Sequence, residues 1–152
     1  MSDISIDDFE LPATGGGTFR LSDHRGEKVV VYFYPKDNTP GCTTEGQEFA
    51  ALYPQFREAG AEVVGVSRDS IKSHEAFKAK FGFPFALLSD ADEKVGTAFS
   101  VIKLKNMYGK TVRGIERSTF VFDRDGKLVR AWRGVRAPGH AAEVLAFVKT
   151  LP

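Results

Sequence analysis

Between Lys28 and Pro35 the chain reads KVVVYFYP, an unbroken apolar and β-branched run. Such a run predicts a strand buried on both faces, and Pro35 stops it. The period then changes. Phe49, Leu52, Tyr53 and Phe56 recur at i, i+3, i+4 and i+7, which predicts a helix from Cys42 to near Gly60. Pro54 falls inside it and is expected to bend the helix or weaken its middle. AEVVGVS (Ala61 to Ser67) is a second strand. Asp69 or Ser70 can cap a second helix that turns His74, Phe77 and Phe81 inward. FALLSD (Phe85 to Asp90) predicts a third strand and DEKVGTAFSV a short helix with an acidic start. GIERSTFVFD and KLVRAWRGV flank Arg124-Asp125-Gly126, a hairpin signal. Ala141, Val144, Leu145 and Val148 mark a final amphipathic helix after Pro138-Gly139. At the front, FELPATGGGTFRLSDHRG predicts a short hairpin with a loose Gly15-Gly16-Gly17 turn.

Strands alternating with helices imply parallel pairing with helices on both faces, and the late hairpin adds an antiparallel edge. The expectation is an α/β, thioredoxin-like fold, a central mixed β-sheet flanked by helices, with an N-terminal β-hairpin. With 152 residues and neither repeats nor a low-complexity linker, residues 1–152 are expected to form one domain. Lys+Arg 21 against Asp+Glu 20 leaves a net charge of +1, which argues against a nucleic-acid surface or a polybasic membrane face. The start, MSDISIDDFELP, is acidic and lacks the basic end and apolar run of a signal peptide. No apolar stretch approaches the roughly 20 residues that span a bilayer. One cysteine cannot form an internal disulfide, so a reducing, cytoplasmic setting is expected.

That cysteine, Cys42, falls where the buried strand ends and the first helix begins. In open α/β sheets ligands usually bind at such places. Unpaired N–H groups and a partial positive charge at a helix start favour an anion such as thiolate. A thiol with an ordinary pKa of about 8.5 drops to roughly 3.5–7.5 in settings of this kind. Thr39 can place a hydroxyl beside the sulfur or beside a bound oxygen, and Pro35, Pro40 and Gly41 make the turn tight. A lone cysteine is more often a small buried hydrophobe. Here its flanks are Gly41 and Thr43 rather than apolar residues, which reverses that preference. A zinc site needs several ligands, and His24, His74 and His140 are scattered without ligand spacing. A Cys-x-x-Cys exchange site needs a second cysteine. A Cys–His hydrolase stays open, although no histidine stands nearby in sequence.

PKDNTPGCT matches the Pro-x-x-x-Thr-x-x-Cys signature of peroxiredoxins through Pro35, Thr39 and Cys42. With LLSDADEKVGTAF and RSTFVFDRDGKL, the chain resembles the bacterioferritin-comigratory-protein or peroxiredoxin Q branch over almost its whole length. The resemblance implies a thiol-dependent peroxidase with no metal or organic cofactor. Cys42 would attack a hydroperoxide and become a sulfenic acid. The Thr39 hydroxyl, the backbone of Gly41 and Cys42, and Arg117 would hold the substrate, while Pro35 limits solvent at the sulfur. On sequence alone Arg117 reads better as a solvated strand-end charge, a reading that the resemblance overturns, and Thr39 reads equally as a turn residue, a helix cap or both. Glu45 reads as a partner of the helix dipole, or of an arginine near the site.

Many members of the branch carry a resolving cysteine five residues after the first, where this chain has Gln47. Others carry it in the following helix, but SIKSHEAFKAKF has none. The expectation is a one-cysteine cycle resolved by an external thiol reductant such as thioredoxin, or glutathione with glutaredoxin. Joining two subunits through Cys42 is less attractive. Helix 43–59 is expected to loosen for the reductant, helped by Gly46 and Pro54. Two rivals stand beside the enzyme: a peroxide sensor that uses the Cys42 sulfenate to signal, and an interaction module with an inert thiol. Both a monomer and a homodimer fit.

Overall fold

Val29, Val30, Val31, Tyr32 and Phe33 of strand β3 (Lys28–Phe33) are all buried, and their side chains alternate between two separate cores. Val30 and Tyr32 enter one core; Val29, Val31 and Phe33 enter the other. This is the two-faced burial that an unbroken apolar run predicts. The structure, a computed structural model, describes residues 8–152, so the acidic segment 1–7 lies outside the described residues.

Around β3 lie β4 (Ala61–Ser67), β5 (Leu87–Ser89), β8 (Ser118–Phe122) and β9 (Leu128–Arg133), in the order β5-β4-β3-β8-β9. The pairs β3–β4 and β4–β5 are parallel, whereas β3–β8 and β8–β9 are antiparallel. The sheet is mixed, as the order of elements implied. One core receives α1 (Pro40–Glu58), α2 (Ile71–Phe81) and α4 (His140–Val148), through residues such as Phe49, Phe77 and Val144. The other receives α3 (Lys94–Ala98) and the N-terminal hairpin of β1 (Glu10–Pro12) and β2 (Thr18–Arg20), through Val95, Leu11 and Phe19.

Several boundaries differ from the sequence reading. Helix α1 begins at Pro40, not at Cys42, because proline suits the first helical position. It runs unbroken through Pro54 to Glu58, since packing of Phe49 and Phe56 in the core outweighs one lost hydrogen bond. Ser70, not Asp69, caps α2: its hydroxyl accepts the Ser73 N–H at 3.1 Å. GIERSTFVFD is not one strand. Gly114 and Ile115 belong to β7 (Lys110–Ile115), which among the described residues pairs only with β6 (Ile102–Met107), and the break falls at Glu116-Arg117. Lys28 is a buried lysine whose Nζ donates to the carbonyls of Ala59, Val148 and Leu151 at 2.9, 3.2 and 2.9 Å. It ties the ends of α1 and α4 to the first rung of the central strand.

Candidate active site

The pairing of β3 with β8 decides which residues meet. Phe33, the last residue of β3, pairs with Ser118, the first of β8. The chain therefore leaves β3 toward α1 at the place where Arg117 enters β8. Arg117 is fixed there by its own backbone, whose carbonyl accepts the Val135 N–H at 3.0 Å.

Cys42 is the third residue of α1. Thr43 is the first residue whose N–H reaches a carbonyl four back, that of Thr39 at 2.8 Å. The N–H groups of Gly41 and Cys42 precede it and have no acceptor within the helix. The Cys42 side chain is buried, 2% exposed, beside the core that holds Tyr32 and Phe49. Its sulfur is not sealed among aliphatic groups alone: Arg117 Nη2 lies 3.5 Å from Sγ. Gly41 makes room for that approach, since a β-carbon at position 41 would stand 2.9 Å from the same Nη2.

Arg117 is not a solvated strand-end charge. Its Nη1 donates to Glu45 Oε1 at 2.6 Å, and Glu45 is fully buried one turn along α1 from Cys42. Burial pushes the Glu45 carboxyl up to about 7, partly offset by the attraction of Arg117. For Arg117 burial works against the charge, but Glu45 and Cys42 outweigh it and hold its pKa above the ordinary value. Of the two sequence readings of Glu45, pairing with an arginine near the site is the one realised.

Thr39 occupies the N-cap position, yet its side chain makes no capping bond. The hydroxyl instead donates to the Lys36 carbonyl at 2.8 Å and braces the turn, so of the two bland readings the turn residue holds. Pro35 is half-buried at the end of β3. Arg117 thus touches both Cys42 and Glu45, Gly41 leaves room for its approach to the sulfur, and Thr39 and Pro35 stand in the loop leading to it.

Sequence spacing missed a second polar group behind this loop. Asp37, Asp69 and His74 come together there, with their ligand-type atoms within 4.8 Å of one another. They lie up to 37 residues apart in sequence, and no spacing rule links them.

Residues 5–131 match the AhpC/TSA family. The chain is 58% identical to the peroxiredoxin Bcp of Xanthomonas campestris, over 93% of this chain and 89% of that protein. It is also similar to a solved structure of the Xanthomonas campestris bacterioferritin comigratory protein, studied for alkyl peroxide reduction. The TM-score is 0.89 at 56% identity, covering 93% of this chain and 90% of that one. Peroxiredoxin Q of the same organism has been solved with cysteine-to-serine changes at two different positions, at TM-scores of 0.90 and 0.89, 57% and 56% identity, and the same coverage. That relative thus has at least two cysteines, and this chain has one. With the family match, the overall likeness and the cysteine at the start of α1 all in agreement, the chain belongs to the AhpC/TSA family, in its peroxiredoxin Bcp/Q branch.

Proposed function

We propose that Cys42 is the peroxide-attacking thiol of a one-cysteine thiol peroxidase, in a single catalytic domain spanning the chain. As a peroxiredoxin the protein is a thiol-dependent peroxidase. The observation that supports assigning the chemistry to Cys42 is the Arg117 guanidinium 3.5 Å from its sulfur. A fixed cation at that distance stabilises thiolate, and it also faces charge developing on the departing oxygen. The N–H groups of Gly41 and Cys42, which precede the first intrahelical bond, offer further donors. The Thr39 hydroxyl, its proton given to Lys36, can accept from a peroxide O–H. Pro35 and the surrounding apolar side chains keep water from the sulfur.

The thiolate attacks one oxygen of the hydroperoxide. The O–O bond breaks, Cys42 becomes sulfenic acid, and the alkoxide or hydroxide leaves to take up a proton. Hydrogen peroxide and small organic hydroperoxides both suit this step; alkyl peroxide reduction is the activity for which the Xanthomonas relative was studied. With no second cysteine in the chain, an external thiol condenses with the sulfenic acid and releases water. A second thiol then reduces the mixed disulfide. Such thiols, thioredoxin or glutathione with glutaredoxin, belong to a reducing compartment such as the cytoplasm.

Stopped-flow oxidation of the reduced protein by hydrogen peroxide and tert-butyl hydroperoxide tests the assignment. Cys42→Ser should abolish the reaction, and Arg117→Ala should lower the second-order rate constant by about 10²–10³-fold. An Arg117→Ala rate equal to wild type would remove the basis of the reading. The same experiment with added thiol separates the enzyme from the sensor: repeated turnover marks an enzyme, a single burst a sensor.

A further inference from the structure

His74 has no exposed surface, and each of its ring nitrogens faces a hydrogen-bond acceptor. Nε2 lies 2.8 Å from the Leu88 carbonyl, which can only accept, so Nε2 must carry a proton. Nδ1 lies 2.7 Å from Asp37 Oδ2. The Asp37 carboxyl already accepts two donors, the Tyr34 hydroxyl on Oδ1 at 2.6 Å and the Ser73 hydroxyl on Oδ2 at 2.7 Å. A carboxylate so arranged is suited to accept from Nδ1, which also has the Tyr34 hydroxyl 3.4 Å away. Burial alone would raise the Asp37 pKa, but His74 and the two hydroxyls outweigh it and hold it below the ordinary value.

The pair is anchored on three sides. Asp37 N–H donates to Asp69 Oδ2 at 2.9 Å, and the Ser67 hydroxyl donates to the same oxygen at 2.6 Å. Tyr34 and Asp37 bracket the exit from β3, His74 and Ser73 belong to α2, and Leu88 to β5. Two residues beyond Asp37 stands Thr39, and three beyond that Cys42. Asn38, between Asp37 and Thr39, takes the left-handed conformation at φ 61°, which an L residue adopts at some cost. The segment is therefore held by contacts outside itself.

We propose that His74, as an imidazolium paired with Asp37, is a positioning residue for peroxide reduction. It locks residues 34–39 onto α2 and β5, and so fixes where the Thr39 hydroxyl and the first turn of α1 stand around a bound peroxide. This rests on Cys42 being the attacking thiol, but the charge on His74 does not. The metal-like grouping of Asp37, Asp69 and His74 is explained by the same bonds. Nδ1 spends its proton on Asp37, and Asp69 Oδ2 is filled by Asp37 N–H and Ser67.

Two measurements on the full chain test it. Nitrogen-correlated NMR of the reduced wild-type protein at neutral pH should show His74 with protons on both ring nitrogens, whether or not peroxide reacts. A neutral tautomer there overturns the proposal. Second, in His74→Gln and in the milder Ser73→Ala, the rate of Cys42 oxidation by peroxide is compared with its alkylation by iodoacetamide. Alkylation needs the thiolate but no seated peroxide, and Arg117 is untouched. The ratio of peroxide rate to alkylation rate should fall about ten-fold in His74→Gln, since a misplaced donor set costs orientation, and by less in Ser73→Ala. A His74→Gln ratio within about three-fold of wild type, or a parallel loss of both rates, assigns the pair to stability alone and overturns the proposal. Should His74→Gln not fold, the Ser73→Ala ratio and the wild-type spectrum decide. A wild-type protein inert to peroxide would instead defeat the reading of Cys42.

Discussion

Arg117 brings one positive charge to two acidic neighbours, Cys42 and Glu45, and cannot fully satisfy both. Glu45 shows the strain of this arrangement. Oε1 is held by Arg117, while Oε2 is buried without a partner among the described residues. Its carboxyl, pushed up to about 7 by burial, keeps a proton that the unfolded chain gives up near 4.5. The contribution to stability is therefore full below about pH 4.5 and is lost as pH rises through 7. Wild-type stability in urea should drop between pH 5 and pH 8 relative to Glu45→Gln, by on the order of 2–3 kcal/mol. A difference between the two proteins that does not vary with pH would show that the carboxyl does not titrate there. At this scale the motif made Cys42 and Thr39 legible. Arg117 needed the family resemblance, because the charge in a chain with 21 basic residues carries no address of its own. His74 was legible only as an inward-facing helix residue, since its partner comes from another element.

Among the elements, α1 was readable from its apolar spacing, but the purpose of Gly46 was not. The sequence suggests a weak point that eases unwinding. In the fold, a β-carbon at position 46 would stand 2.5 Å from Phe83 Cζ. Phe83 cannot easily retreat: its ring stacks on Phe85 at 5.6 Å and meets Phe77 edge-on at 5.0 Å. Alanine would favour the helix by about 1 kcal/mol through propensity, but overpacking costs about 1–3 kcal/mol. Gly46→Ala should accordingly lower the thermal midpoint rather than raise it, and calorimetry checks the sign. The hairpin β6–β7 is an element that the apolar pattern does not mark. Its alternation of Ile102 and Leu104 with lysines is short, and Leu104 is 69% exposed, so no core face marks the register. The turn did carry a signal in Tyr108-Gly109, whose positive φ values of 53° and 77° suit a two-residue hairpin loop.

Across the whole molecule, the alternation of strands and helices was enough to foresee a mixed sheet with both faces covered. It did not reveal that three long helices share one face, while a short helix and the N-terminal hairpin cover the other. The count of cysteines is also a property of the whole chain, and it sets how the protein fails. With no internal thiol to intercept the sulfenic acid, excess peroxide without reductant should add one, then two and then three oxygens to Cys42. Intact-mass spectra should follow that ladder, and a disulfide-linked dimer as the main product would contradict it. The buried sulfur adds a condition, because at 2% exposure no protein-sized reductant can touch it where it rests. Arg117 hangs from the ladder joining β3 to β8, whereas Cys42 rides on a single helical turn. On the proposed one-cysteine cycle, a reductant would need to lift only that turn. The cation would stay at its post on the sheet and mark the berth to which the sulfur returns after each cycle.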